Sequence, residues 1–323
     1  MSLPVRLTGT IAAVTLAAGC AAGASGPDAP ASGAVAITSC GKQLSFTGAP
    51  HRVVSLDQAS TETLLALGAK DKMVGTANLK TKPAPRYADD YAKVPVLSPK
   101  ILTAEPLRAA NPDFVVSGYK ELFTADRAGT RDELAALDVP TFVSAVNCPD
   151  GTEAFERLFR DYADLGKAMG VSARADQLIA EQRAVISEVQ ARKPAPGLKV
   201  AWVYSVFKGV PYVAGKAGMP GAISKIAGVT NVFDDMDQEW PEVSWETVAE
   251  RAPDVIVIGD LSERGNPGDK AEEKIAMMRE HPMMAQLPAV RDNKIIKIPG
   301  IELDASVRTV DALRAFSAAL PRG

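Results

Sequence analysis

Histidine occurs only twice in this chain of 323 residues, at His51 and His281. A His-rich metal shell cannot be built from them, which argues against direct capture of a bare zinc ion. Basic blocks are missing as well. The formal net charge is −3, which gives no electrostatic reason to expect nucleic acid. There is no G-x-x-x-x-G-K-[ST] phosphate loop; the Gly-Lys pairs at Gly166 and Gly215 lack the rest of that motif. No G-x-S-x-G nucleophile elbow appears. The acid pairs Asp89-Asp90 and Asp234-Asp235 sit in polar segments and need no catalytic role. These absences point away from an enzyme and from any catalytic residue or protein-held metal. Past the N-terminus, no run is long and apolar enough to cross a bilayer as a helix.

What is present begins with the leader. Arg6 is followed by an apolar, small-residue stretch from Leu7 to Gly19, too short to span a membrane and suited to a signal-peptide core over residues 1–19. It ends in Leu16-Ala17-Ala18-Gly19-Cys20, which is similar to a bacterial lipobox and nominates Cys20 as a lipid anchor. Ala17 stands where the usual leucine would, so an ordinary secretory signal with a chance cysteine is the alternative. Residues 20–34 are rich in Ala, Gly, Ser and Pro and read as a flexible tether. Export leaves Cys40 and Cys148 as an expected disulfide, with two free buried thiols as the alternative.

The remaining chain alternates strands and helices. Strands are expected at Arg52–Leu56, Lys72–Gly75, Phe114–Ser117 and Thr141–Val143, after a hairpin turning at Gly41-Lys42. A helix over Thr61–Leu67, capped at Ser60-Thr61, closes at Gly68. Two longer helices follow: one over about Thr152–Met169, the other capped by Ser172 and running to about Lys193. The second carries one apolar stripe through Ala175, Leu178, Ile179, Val185, Ile186 and Val189. Pro194-Ala195-Pro196-Gly197 stops it. Further strands are expected at Lys199–Tyr204, Val255–Ile258 and Lys294–Ile298, with a last helix over Val307–Leu320. The fold class is α/β, with parallel sheets covered on both faces. The expected organisation is an N-terminal lobe over 35–171, a connecting helix over 172–193 and a C-terminal lobe over 194–323.

An internal echo links the lobes. Leu102-Thr103-Ala104-Glu105 precedes Asn111-Pro112-Asp113, and Val243-Ser244-Trp245-Glu246 precedes Ala252-Pro253-Asp254; each Glu leads its Pro by seven positions. Thr103 or Ser244 caps a short helix, and the Glu lies in its first turn, where the helix dipole favours an anion. First-turn helix chemistry explains one copy but not two at equal spacing.

Pro50–Leu56, Thr61–Gly68, Trp240–Glu246, Leu287–Val290 and Ser306–Arg308, in this order and spacing, resemble the iron–siderophore/cobalamin class of periplasmic solute-binding proteins. The resemblance implies two Rossmann-like lobes joined by a single long helix, with the ligand in the cleft between them. It implies a monomeric protein, without intrinsic cofactor, delivering a ferric siderophore to the permease dimer of an ABC importer whose ATPase is a separate chain. It also implies that Glu105 and Glu246 dock onto that permease. Cobalamin or haem is the alternative ligand; an extracytoplasmic enzyme or sensor subunit is the reading from other classes. Against cobalamin, the N-lobe counterpart of Trp240 is Pro99, which offers no aromatic wall.

Ligands of open parallel sheets bind beyond the carboxyl ends of the strands. That rule nominates Asp57–Ser60, Thr76–Asn78, Gly118–Lys120, Tyr204-Ser205, Tyr212, Trp240 and Glu302–Arg308. Trp240 matches an aromatic pocket position of the class, and Arg308 offers a fork for an anionic chelate. Tyr119, Tyr204 and Tyr212 read as ligand contacts, with core or rim packing as the alternative. Trp202 reads as core, Lys80 and Lys82 as a solvated loop face, and His281 as surface.

Overall fold

The computed structural model describes residues 34–322. The expected signal peptide, Cys20 and the tether up to residue 33 lie outside the described residues.

The lobe nearer the N-terminus opens with a hairpin, β1 (Val35–Ser39) and β2 (Lys42–Phe46). Ser39 pairs with Lys42, so the turn is Cys40-Gly41, one residue earlier than expected. Both turn residues have positive φ, 46° and 78°, the backbone a two-residue hairpin loop requires. Five short strands then form a wholly parallel sheet: β3 (Val53–Ser55), β4 (Met73–Ala77), β5 (Val96–Ser98), β6 (Phe114–Ser117) and β7 (Thr141–Val143), in the order β5-β4-β3-β6-β7. Helices α1 (Gln58–Ala66), α2 (Ala88–Tyr91), α3 (Ala104–Ala109), α4 (Arg131–Ala135) and α5 (Ala154–Met169) accompany them.

The second lobe repeats the plan. Its strands are β8 (Lys199–Phe207), β9 (Val210–Val213), β10 (Thr230–Asn231), β11 (Val255–Asp260) and β12 (Ile295–Pro299). The order is β10-β8-β11-β12, all parallel, with β9 added antiparallel to β8. In both parallel sheets the first strand, β3 or β8, is central, between the strand that follows the first crossover and the strand launched by Pro-Asp. Helices α7 (Met219–Ile226), α8 (Trp245–Glu250), α9 (Ala271–Glu280), α10 (Pro282–Gln286), α11 (Pro288–Arg291) and α12 (Thr309–Ala319) complete it.

Between the two sheets runs α6 (Ser172–Ala191), a 20-residue helix roughly 30 Å long. It buries Ala175, Leu178, Val185 and Val189, the core of the expected stripe. Ser172 is inside the helix rather than capping it; Val171 holds the cap position, following Gly170 in the left-handed conformation that ends α5. One apolar core runs through both lobes, from Phe114 and Tyr162 to Trp202 and Phe316. Trp202 is core, as expected, with its indole N–H donating to Ser224 Oγ at 2.8 Å.

Cys40 and Cys148 are joined, tying the hairpin turn to the segment after β7. The bridge spans a sequence separation of 108, so chain entropy assigns it about 4–5 kcal/mol. Replacing both cysteines with serine should lower the unfolding free energy by several kcal/mol in a denaturant titration. Equal midpoints for the two proteins would rule out that contribution.

Candidate functional site

The carboxyl ends of both sheets face one another, and the residues there are placed by short-range chemistry. Helix α1 begins earlier than its sequence predicts, because Asp57 rather than Ser60 caps it. The Asp57 carboxylate accepts from Ser60 N–H (2.8 Å), Ser117 Oγ–H (3.0 Å) and Gly118 N–H (2.8 Å). This ties the end of β3 to the end of β6 and satisfies a fully buried anion. Gln58 does the same for the next loop: its Oε1 accepts from the N–H groups of Lys80 and Thr81 at 2.9 and 3.0 Å.

Lys80 is thereby held inside the cleft, not on the solvated face expected of it. Its Nζ donates to Asp304 Oδ2 across the lobes at 2.9 Å and to Tyr119 OH at 3.2 Å, 4.7 Å from that ring's centroid. Burial works against the Lys80 charge, but Asp304 and then Tyr204 outweigh it and raise its pKa. Facing this cation, the Tyr204 and Trp240 rings stack with centroids 4.3 Å apart. Burial and the Asp304 charge push both Tyr119 and Tyr204 up, so both phenols stay protonated at neutral pH. Beside Trp240, burial and then Asp304 raise Glu239 to about 7. The cleft therefore presents a partly buried cation, neutral phenols and an aromatic platform. Beyond Lys80, a space of about 210 Å³ lies against Asp260, Arg264 and Pro299.

Of the residues nominated from sequence, Tyr119, Tyr204 and Trp240 are brought together. Tyr212 is not: it lies on β9 with its hydroxyl bonded to Glu242. Arg308 is in the interlobe region but is not an open fork. Its Nε and Nη2 each contact the Glu62 carboxylate at 2.5 Å, and Nη2 also donates to Lys82 O at 2.9 Å. The reason is burial: a guanidinium this enclosed needs a paired anion, and α1 supplies one. Glu263 completes the bridging on this side, accepting from Thr81 Oγ–H and Lys82 N–H at 2.5 Å each.

Glu105 and Glu246 are both exposed, each in the first turn of a six-residue helix. Ser244 caps by accepting from Thr247 N–H; Thr103 occupies the same position without that bond. Asn111 and Ala252, just before the prolines, share a positive φ of 46° and 47°. Asp113 and Asp254 then lock onto the first strands, accepting from Arg52 N–H (2.8 Å) and Lys199 N–H (2.9 Å) respectively. The echo is thus a structural repeat. His281 is less exposed than expected: Nδ1 accepts from Met284 N–H to cap α10, leaving Nε2 to donate to Glu246 Oε1 at 3.0 Å.

Sequence reasoning missed Glu62, Glu239 and Lys274, and it nominated the stretch Glu302–Arg308 without singling out Asp304. Lys274 is fully buried, its Nζ donating to the carbonyls of Tyr204 (2.7 Å), Gly259 (2.6 Å) and Asp269 (2.8 Å). It props the strand end that carries Tyr204, and burial pulls its pKa down to about 8. A signal existed: Lys274 falls on the apolar stripe of Ala271, Ile275 and Met278. Glu62 likewise lies in a helix buried on every side, so its charge required an unseen partner.

Among the described residues no cluster of His, Cys, Asp and Glu could hold a metal ion, and no helix is long and apolar enough to cross a membrane.

The chain is 24% identical over 216 residues to an uncharacterized ABC transporter substrate-binding lipoprotein, YvrC, of Bacillus subtilis, covering 65% of this chain and 64% of that protein, just under two thirds of its length. It is 27% identical over 267 residues to a cobalamin-binding protein of Halobacterium salinarum, covering 78% of this chain and 68% of that one. A periplasmic binding protein of Veillonella parvula superposes with a TM-score of 0.79 at 29% identity, over 89% of this chain and 97% of that chain. An ABC-type Fe3+-hydroxamate transport system protein of Saccharomonospora viridis does so with a TM-score of 0.72 at 26% identity, over 88% and 98%. The profile of a family described as periplasmic binding protein matches residues 53–301, and the chain belongs to that family, one of binding proteins rather than enzymes.

Proposed function

We propose that this periplasmic binding protein captures a ferric siderophore in the interlobe cleft and delivers it to the permease of an ABC importer. The observation that carries the reading is the stacked Tyr204–Trp240 platform facing Lys80 and Tyr119 from the opposite lobe. A chelate with an apolar rim and anionic oxygens fits such a pair of walls: the rim lies on the rings, and an anionic oxygen takes the place of Asp304 as the partner of Lys80. Exchange of that partner couples ligand entry to movement of the lobes, because Lys80–Asp304 bridges them. One connecting helix limits that movement to a modest closure. The relative from Saccharomonospora viridis, an Fe3+-hydroxamate system protein, supports this ligand class. Cobalamin is the second reading, supported by the flat aromatic stack and by the cobalamin-binding relative from Halobacterium salinarum. The permease dimer, its separate ATPase and a lipid anchor at Cys20 complete the proposal.

Tryptophan fluorescence separates the readings. Hydroxamate, catecholate and carboxylate ferric siderophores, haem and cobalamin are titrated in turn. A ferric siderophore should quench the wild type, and Trp240→Ala should weaken its binding by about tenfold or more. Lys80→Gln should weaken anionic chelates and leave neutral ones nearly unchanged. Quenching by cobalamin alone would transfer the assignment to the second reading, and no response to any of them would remove both.

A further inference from the structure

At the far end of the interlobe region lies a larger groove, about 570 Å³, between the start of α5 and the start of α7. Arg157 lines it and is only 5% exposed. One of its Nη atoms donates to Thr152 O, its Nε is buried with no hydrogen-bond partner, and it forms no ion pair among the described residues. A guanidinium stays charged at any working pH, and a buried charge without a counter-charge is costly. Contrast Arg308, equally enclosed, which holds a carboxylate.

Two further features converge on the same space. Glu153 makes no capping bond to α5, and Gly218, at the cap position of α7, has no side chain to make one. The first-turn N–H groups of both helices are therefore left uncapped by side chains at the groove. The wall there is bare backbone by necessity. A Cβ on Gly218 would stand 2.7 Å from Glu239 Cγ, and one on Gly221 would stand 2.7 Å from Lys216 O. Of the nearby acids, Asp150 is paired with Arg160 at 2.8 Å, Glu153 with Lys225 at 2.5 Å, and the buried Asp161 accepts from Ser144 Oγ–H and Ala145 N–H; Asp234 and Asp237 are exposed at the rim, where solvent screens them.

We propose that this groove binds an anion, a carboxylate or phosphate group held by Arg157 and by the N-termini of α5 and α7. The anion has two possible sources: a free molecule, or an acidic arm of the transported solute. The second follows from continuity, since Gly218 abuts Glu239 next to Trp240. That extension rests on the function proposed above; anion binding itself does not.

Calorimetric titration of the full chain at fixed ionic strength tests it. The probes are inorganic phosphate, citrate, and ferric chelates with and without free carboxylates. Phosphate or citrate should bind the wild type, and Arg157→Met should weaken that binding by about tenfold or more. Lys216→Ala changes only an exposed rim side chain, so it should fold normally, and it should weaken phosphate binding by about threefold. Absence of binding by every anionic probe would overturn the proposal. So would equal affinity in Arg157→Met, or, where that variant does not fold, unchanged affinity in Lys216→Ala. Carboxylate-bearing chelates binding tighter than their neutral counterparts, with the difference lost in Arg157→Met, identifies the solute arm as the source. Binding of free anions with no chelate bound keeps the anion site and removes the siderophore reading.

Discussion

Glu62→Ala should destabilise the protein by about 3–5 kcal/mol, the cost of leaving one member of a buried ion pair unpaired. The side chains of Glu62 and Arg308 are 1% and 8% exposed, and both guanidinium contacts are 2.5 Å long. The loss extends beyond the pair. Glu62 Oε1 also accepts from Ala84 N–H at 3.1 Å, so its removal frees the loop that carries Lys80. The melting temperature should fall by roughly 10 °C for a chain of this size. A Glu62→Met, Arg308→Met double variant should recover most of it, because matched apolar groups leave no stranded charge. Differential scanning calorimetry of the single and double variants forms the cycle. A single variant melting with the wild type would show that the pair does not stabilise the interlobe contact. Since the pair joins α1 of one lobe to the start of α12 in the other, the single variant should also bind ligand more weakly.

The second large effect concerns Glu105 and Glu246. Reversing both to lysine should reduce cellular import to the level of cells lacking the protein, while ligand affinity changes by about twofold at most. The structure makes the comparison clean. Both glutamates are exposed, on helices of equal length, each followed by a left-handed residue (Asn111 or Ala252), Pro and strand-locking Asp. A lysine in a helix's first turn opposes the dipole by only about 0.3–1 kcal/mol, too little to unfold either lobe. A permease surface that attracts two carboxylates at fixed spacing would repel two ammonium groups. Normal import by the double variant would remove the docking role. Loss of ligand binding together with import would place these residues in ligand capture instead. The two lobes are not identical here: His281 Nε2 contacts Glu246, and the reversal also breaks that bond. Glu246→Gln, which can still accept from His281, separates loss of charge from loss of that contact.

The sequence by itself determined much of this protein. Alternating apolar strands and helices determined two parallel α/β lobes, because strands buried on both faces must be continuously apolar. The stripe on α6, the core position of Trp202, the pairing of Cys40 with Cys148 and the repeat around Glu105 and Glu246 were legible because each follows from local spacing or from a count. Helix starts were less so. Asp57 caps α1 and Val171 precedes α6, since which polar residue caps a helix depends on where the preceding strand ends.

Only the tertiary structure decided which charges meet. Lys80 read as a loop lysine and proved to be a partly buried cation of the cleft; Arg308 read as an open fork and proved to be the partner of Glu62. The two residues of each pair lie more than two hundred positions apart, on elements of opposite lobes. Arg157 is the converse, a charge whose burial by the fold brings acids near it but, among the described residues, none into ion-pair contact. Periodicity reports whether a side chain faces a core, because that depends on its own element. Whether a buried charge is paired depends on a second element, whose position is set by the packing of the whole chain.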